Sequence, residues 1–563
     1  MRVRQIDIAA DSVIVRDLWI PMPDGIRLHA RAWLPADVDQ TPAPVLLEYL
    51  PYRLDDWTSL RDSERHPYYA LHGYCSVRVD IRGTGSSEGH FDDEYSEQEL
   101  DDAEAVIDWL SDEPWCTGRV GMFGISWGGF NALQVAQRGP KALHAIVTVC
   151  SSDDRYGNDV HYFGGAVLGV DMAAWAATMF AFGSRPPRPE VVGDDWIEQW
   201  RSRLDDIVPL APIWLAHQAR DDYWRRGSVC EDYSGVRAAV LAVGGWADPY
   251  RDTVLRLLEN LRSPRKGIIG PWSHHYPDRE RAAPGPQIGF LQETLRWWDR
   301  WLKDEDTGVE SDPDLRAWIN HEARPATYVE EQSGRWLAIP EWTTAPSTVS
   351  WSLDRAENLG GRTMLRVRSP WDTGQDAGRY FPFGNDADLP PDQRAEDGRS
   401  ICLDLPVGAA PRTVLGCPTL RVQVASDGPH GTLIARLCEV APDGTSTLIT
   451  RGALNLARRR GMDRNDPMPP DLAEWVEVRL VAVGHQFSPG NTIRLALSNH
   501  YWPWIWPHQD DAAFTVHLDG AVLKLPEAPA DGPPVRFEAA EHARPLEVTY
   551  PSPEPPVPEG DSP

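Results

Sequence analysis

The run Gly124-Ile125-Ser126-Trp127-Gly128 constrains this chain more than any other stretch. Ahead of it, residues 119–123 (Arg-Val-Gly-Met-Phe) read as a short buried strand. Behind it, residues 130–137 read as a helix closed by Gly139-Pro140. A serine on so sharp a strand-to-helix turn needs glycines beside it, because a Cβ there would collide with neighbouring backbone. Such an elbow lifts a hydroxyl off the end of a sheet, so Ser126 is a candidate nucleophile. A plain Gly-rich connecting turn is the alternative, and the rest of the chain has to decide between them.

The flanking pattern is that of an α/β protein. Residues 13–34 predict a hairpin turning at Met22-Pro23-Asp24-Gly25, with Ile26, Leu28, Ala30 and Ala32 alternating against Arg27, His29, Arg31 and Trp33. Buried strands follow at 45–49 and 76–80. The Gly-rich loop 82–89 lacks full G-x-G-x-x-G spacing and reads as a neutral connection rather than a phosphate cradle. Leu100, Ala103, Val106, Ile107 and Leu110 mark one face of a helix. Further strands are expected at 144–149, 238–245 and 267–270, with helices between them and a last helical stripe at Leu291, Leu295, Trp298 and Leu302.

Between 151 and 236 the alternation stops, and a helical insertion is expected there. Beyond about 310 the pattern is β only: Leu420, Val422, Val424; Leu433, Ala435, Leu437; Val476, Val478, Leu480; Ile493, Leu495, Leu497. Short alternating strands with Gly/Pro turns predict a sandwich or jelly roll. The expected organisation is therefore an α/β core in two parts (1–150 and 237–310), a helical cap (151–236), an all-β domain (311–550) and a disordered tail (551–563), the last having too few apolar groups to fold.

Composition narrows the function. A formal net charge of −29 over 563 residues argues against a nucleic-acid or anionic-membrane partner. No run of about 18 apolar residues is available to span a bilayer, and the N-terminus lacks a signal-peptide core. Seven scattered cysteines form no C-x-x-C or Cys/His cluster, so reduced thiols in a cytoplasmic protein are expected, with no metal and no cofactor.

A serine hydroxyl needs a base, and the base an orienting acid. After Ser126 the chain offers Asp248 past the next-but-one strand and His274 past the one after. Ser, Asp, His is the order used by α/β hydrolases, each residue just beyond a strand end. Asp248 could serve only its turn with Pro249, and His275 competes with His274 for the base.

These residues resemble a known family. Gly270-Pro271-Trp272-Ser273-His274, Gly245-Trp246-Ala247-Asp248, Pro51-Tyr52-Arg53 and the elbow are similar to the bacterial cocaine esterase / X-Pro dipeptidyl-peptidase group of serine hydrolases (CocE/NonD). That group also holds amino-acid ester hydrolases and acylases. The resemblance implies an α/β hydrolase with a helical cap and a C-terminal jelly-roll domain of the X-Pro peptidase type, in which the run from Gly484-His485 to Arg494-Leu495 looks like a characteristic strand pair. It implies Ser126 as nucleophile, His274 as base and later acid, Asp248 as orienter, and the Tyr52 hydroxyl with the Trp127 amide as oxyanion hole. Tyr49 is the alternative if the loop register differs.

The implied substrate is a small ester or amide, with an acyl esterase favoured over an X-Pro dipeptidyl-peptidase. Asp159 is a candidate for binding a substrate amine or for a structural hydrogen bond, and Trp246 and Tyr250 are further substrate-binding candidates. Where amino-ester hydrolases carry acidic residues after the triad aspartate, this chain has Tyr250 and Arg251. Arg251 could favour an acidic acyl group or pair with a carboxylate. A reading from another class makes the β domain a carbohydrate-binding module through Tyr501-Trp502-Pro503-Trp504-Ile505-Trp506, residues that could equally pack against the catalytic part. A homo-oligomer is compatible with all of this.

Overall fold

The computed structural model describes residues 3–9, 12–279, 283–322, 324–342, 347–529 and 532–544. The tail expected at 551–563 lies outside the described residues. The chain divides into two compact units, one of residues 5–120, 178–208 and 542–563, the other of residues 1–4, 121–177 and 209–541.

In the first unit Val13–Pro21 and Arg27–Pro35 form an antiparallel hairpin, with Gly25 at φ +90° in the turn. Arg27–Pro35 pairs antiparallel with Cys75–Asp80, which runs parallel to Ala43–Leu50. All residues of those last two strands are buried, as expected of a sheet covered on both faces. Helix Glu97–Asp112 starts at Ser96, whose hydroxyl accepts from the Glu99 N–H at 3.2 Å, and it buries the stripe Leu100, Ala103, Val106, Ile107 and Leu110. Part of the insertion belongs here: Arg203, in helix Trp196–Asp205, donates to the carbonyls of Gly85 and Ser87. The Gly-rich loop is thus a packing surface for an insertion helix.

In the second unit the sheet runs through residues 121–125 (the end of strand Cys116–Ile125), Leu143–Val149, Ala239–Gly245 and Arg265–Gly270, in that order. Ala239–Gly245 is parallel to both Leu143–Val149 and Arg265–Gly270. Trp127–Arg138, Asp252–Asn260 and Phe290–Lys303 are its helices. The sheet does not end near residue 310. Leu315–Asn320 adds a parallel strand to Arg265–Gly270, Gly334–Ile339 pairs with it antiparallel, and Val483–Phe487 and Arg412–Gly416 extend the same sheet. Period-2 patterning shows that these segments are strands but not which sheet they join.

The remaining strands form two antiparallel sheets. Phe514–Pro526 pairs with Thr348–Ser352, Met364–Val367 and Thr419–Ser426, and Glu474–Arg479 pairs with Thr419–Ser426. The other sheet orders Ile401–Pro406, Thr492–Ser498, Thr432–Val440 and Ser446–Asn455. Alternate residues of both sheets, Leu420, Val422 and Val424 facing Leu433, Ala435 and Leu437, share one apolar core. The segment expected to be a strand pair near residue 490 is split: Val483–Phe487 joins the sheet of Leu315–Asn320 and Arg412–Gly416, while Thr492–Ser498 joins this second β sheet.

Trp504 and Tyr501 are buried with Phe163, Ala166 and Leu168 of the insertion, and the Gly169 N–H donates to the Trp504 carbonyl at 3.0 Å. Gly164, at φ +58°, allows this approach, since a Cβ there would sit 1.9 Å from the Ala453 carbonyl oxygen. Of that aromatic run Trp506 is exposed. Among the described residues no helix is long and apolar enough to cross a membrane.

Candidate active site

Ser126 follows directly on strand Cys116–Ile125 and caps helix Trp127–Arg138. Its φ of +57° is a left-handed conformation that costs a serine on the order of 1–3 kcal/mol and persists only when the surroundings enforce it. Here its N–H donates to the Val149 carbonyl at 3.0 Å and its carbonyl accepts from the Phe130 N–H at 2.9 Å. A Cβ on Gly124 would lie 2.6 Å from the Gly128 backbone, and one on Gly129 would lie 2.8 Å from the Ser151 side chain. Trp127 is the first helical residue, and backbone N–H groups of a first turn lack an intrahelical acceptor. Its indole is fully buried.

Asp248 stands three residues past strand Ala239–Gly245, and His274 four past Arg265–Gly270. The two loops are laced together: the Trp246 N–H donates to the Gly270 carbonyl at 2.8 Å and the Ala247 N–H to the Trp272 carbonyl at 3.1 Å. Gly245 must be glycine for this, since a Cβ would come within 2.1 Å of the Trp272 carbonyl oxygen. Asp248 is fully buried. One of its carboxylate oxygens accepts the Tyr250 N–H at 2.7 Å, and the other lies 2.5 Å from His274 Nδ1. That contact commits Nδ1 and leaves Nε2 as the nitrogen for proton transfer.

Three aromatic rings present edges or faces to the His274 imidazole: Tyr250, Phe381 and Phe383, with centroids 5.8, 5.2 and 5.5 Å away. The His274 N–H donates to the Pro382 carbonyl at 2.8 Å, so the loop carrying Phe381 and Phe383 is bonded to the histidine's own backbone. No sequence motif marked that loop, because it lies more than 100 residues away within a region read as a separate β domain.

His275, the competing base, is turned away. Its ring nitrogens face the carbonyls of Tyr276 and Ala283 at 3.0 and 3.2 Å, and burial pushes its pKa down. Cys150 was also missed. It sits at φ +43° just past strand Leu143–Val149, and its sulfur shares a neighbourhood of under 4.8 Å with Asp248 and His274. Burial, and then the Asp248 charge, hold the thiol pKa well above its usual value, so Cys150 is a neutral S–H donor against that carboxylate. A second clustered donor set, Glu48, Asp62 and His66, is already neutralised by guanidinium groups, Arg61 at 3.0 Å from Glu48 and Arg78 at 3.4 Å from Asp62.

The weaker substrate candidates are placed as follows. Asp159 is buried, and its carboxylate accepts the Tyr250 hydroxyl at 2.7 Å and the Val160 N–H at 2.7 Å. The first of these bonds ties Asp159 to Tyr250. Trp246 is buried, with its indole N–H 2.5 Å from the Trp318 carbonyl. Arg251 folds back onto the Trp246 carbonyl. In the first unit, Tyr52 is buried against Trp57 and Phe182, with ring centroids at 5.3 and 5.8 Å. Tyr49, its alternative, spends its hydroxyl on the Glu99 carbonyl at 3.1 Å.

A serine on a strained elbow and a histidine bonded to a buried carboxylate, each just past a strand end of one α/β sheet, are the marks of a serine hydrolase. Residues 24–276 match the family described as X-Pro dipeptidyl-peptidase (S15 family), and residues 307–542 match the X-Pro dipeptidyl-peptidase C-terminal non-catalytic domain. The chain belongs to the cocaine esterase / X-Pro dipeptidyl-peptidase family of serine hydrolases. It is 26% identical to the cocaine esterase of Rhodococcus sp. (strain MB1 Bresler), covering 87% of this chain and 91% of that protein. Identity to a putative Xaa-Pro dipeptidyl-peptidase of Streptomyces avermitilis is 23%, over 82% of this chain and 72% of that one. Among solved structures it resembles a CocE/NonD family hydrolase from Staphylococcus aureus, with a TM-score of 0.72 at 16% identity over 92% and 94% of the two chains. That likeness supports an α/β hydrolase fold carrying a C-terminal non-catalytic domain.

Proposed function

We propose that this protein is an acyl esterase working through an acyl-enzyme on Ser126. His274 Nε2 takes the serine proton as the hydroxyl attacks the ester carbonyl, then returns it to the leaving alcohol. Asp248 holds the imidazole in the tautomer that permits both transfers and stabilises the imidazolium between them. Water activated by the same nitrogen releases the acid. The Trp127 amide and, by the family resemblance, the Tyr52 hydroxyl serve as oxyanion donors, a donor of this kind being worth about 3 kcal/mol. The observation that carries this reading is the 2.5 Å His274–Asp248 contact in the same sheet whose strand Cys116–Ile125 ends at the strained Ser126.

Ester substrates are favoured over X-Pro peptides or amino-acid esters because the positions after Asp248 are Tyr250 and Arg251 rather than carboxylates. The Asp159 carboxylate is moreover engaged by Tyr250. A buried, hydrogen-bonded carboxylate is a poor receptor for an ammonium group. The two C-terminal sheets are proposed to be a jelly roll. Burial of Tyr501 and Trp504 against the insertion favours a packing role for that run over glycan binding.

Ser126→Ala should abolish labelling by a fluorophosphonate probe and p-nitrophenyl acetate hydrolysis; labelling that persists puts the nucleophile elsewhere. In a parallel panel, p-nitrophenyl acyl esters should exceed X-Pro-p-nitroanilides in kcat/KM by at least about tenfold, one well-placed recognition contact being worth about 1–3 kcal/mol. The opposite ranking assigns the peptidase reading.

A further inference from the structure

A cavity of about 470 Å³ lies behind the candidate triad. Asp248 and Trp246 line it on the catalytic side, and Arg451, Tyr380 and Trp504 line it on the side of the β sheets. Neither Ser126 nor His274 is among its lining residues, so it is distinct from the space in which acyl transfer would occur. Its charge is unbalanced: six arginines line it against four carboxylates among the described residues.

Three of those arginines have local partners. Arg256 pairs with Asp153, Arg379 lies 3.3 Å from Asp388, and Arg479 lies 3.1 Å from the Cys417 sulfur. Arg251 and Arg451 differ. Arg251 donates to the Trp246 carbonyl, its buried Nε makes no hydrogen bond, and it forms no ion pair among the described residues. Arg451 donates to the Ala377 carbonyl at 2.6 Å and the Tyr501 hydroxyl at 2.8 Å, and stacks 3.9 Å over Trp504. It too has no carboxylate partner among the described residues. Burial, and beyond it the charge of Arg451, pull the Arg251 pKa down to about 10 against the opposing charges of Asp252 and Asp248.

Asp248 and Asp252 lie close enough to act on Arg251, yet neither guanidinium is in an ion pair among the described residues. Buried cations without a directly bonded carboxylate are costly, and the cost falls when an anion binds them. Guanidinium groups present planar pairs of N–H donors matched to oxyanions. The cavity volume also falls within the range of small-molecule sites.

We propose that this cavity is a binding site for a small oxyanion, a phosphate or carboxylate, held by Arg251 and Arg451 behind Asp248. The site is separate from the acyl pocket, so it stands whether or not the esterase reading does. The test is isothermal titration of the full-length protein with inorganic phosphate and with succinate, at ionic strength fixed by sodium chloride, alongside thermal melts. Saturable binding and a Tm that rises with oxyanion concentration are expected. Arg251→Met and Arg451→Met should each weaken binding at least tenfold, while the exposed Arg394→Gln should not. Arg451→Lys, which keeps the charge and loses the fork, covers the case in which Arg451→Met fails to fold, and should bind phosphate several-fold more weakly. Absence of saturable binding in the native protein overturns the proposal, as does binding unchanged in Arg251→Met.

Discussion

At the scale of single residues, the geometry around Asp248 separates atoms that touch substrate from atoms that act through a neighbour. Cys150 belongs to the second kind: its neutral thiol faces the carboxylate that orients His274. Cys150→Ala should lower kcat about fivefold with little change in KM, the loss of about 1 kcal/mol expected for one hydrogen bond. Cys150→Ser, which restores a donor, should recover most of it. A Cys150→Ala enzyme with native kcat would remove the positioning role. Ser126, Asp248 and His274 stand out as candidates in the sequence because each obeys a local rule, a residue type just beyond a strand, and the structure places each just past a strand end. Cys150 obeys no such rule. Its significance comes from a neighbouring strand end that places the thiol beside Asp248, and a lone cysteine after an apolar run carries no trace of that.

At the scale of elements, the loops after two parallel strands behave as one piece. Gly245→Ala would force a Cβ toward the Trp272 carbonyl and push the Asp248 loop off the His274 loop. Overpacking of this kind costs about 1–3 kcal/mol. Lower Tm and a larger proportional loss of kcat are therefore expected; an unchanged Tm would show that the loops can part freely. In the first unit, strand Ala43–Leu50 and helix Ser59–Leu71 are joined by a buried ionic cluster. Burial alone would raise the Glu48 pKa, but Arg61, His66 and Arg78 outweigh it and bring it to about 2, from 4.5. A depressed folded-state pKa gives stability that is present above 4.5 and lost as pH falls through that value toward 2. Glu48→Gln should therefore melt lower at pH 7 and lose less of its stability between pH 4.5 and pH 2 than the native protein. Parallel melting curves would refute the linkage. The helix Glu97–Asp112 was legible from its apolar period, and the hairpin of Val13–Pro21 and Arg27–Pro35 from its alternation and its Asp24-Gly25 turn. The ionic cluster was not, because a buried Glu reads in sequence as an exposed one.

At the scale of the whole molecule, the catalytic sheet depends on strands from the far end of the chain. Leu315–Asn320 covers what would otherwise be the open edge of Arg265–Gly270, and the His274 backbone is bonded to Pro382. A fragment ending at residue 310 would expose that edge and leave the His274 loop without its partner, and open edges aggregate. It should be insoluble or unreactive toward a fluorophosphonate probe. A soluble, reactive fragment would show that the hydrolase part folds alone.

The amino-acid order alone determined the periodicities that select helix or strand, the glycines that permit sharp turns, and the Ser–Asp–His order, since each is a property of neighbours along the chain. Tertiary structure alone decided which sheet Leu315–Asn320 and Val483–Phe487 join, that Phe381 and Phe383 stand against His274, and that Arg251 and Arg451 line one cavity. The reason is that strand pairing and side-chain burial are settled between segments far apart along the chain. Many partners satisfy the same local pattern, and only packing discriminates among them.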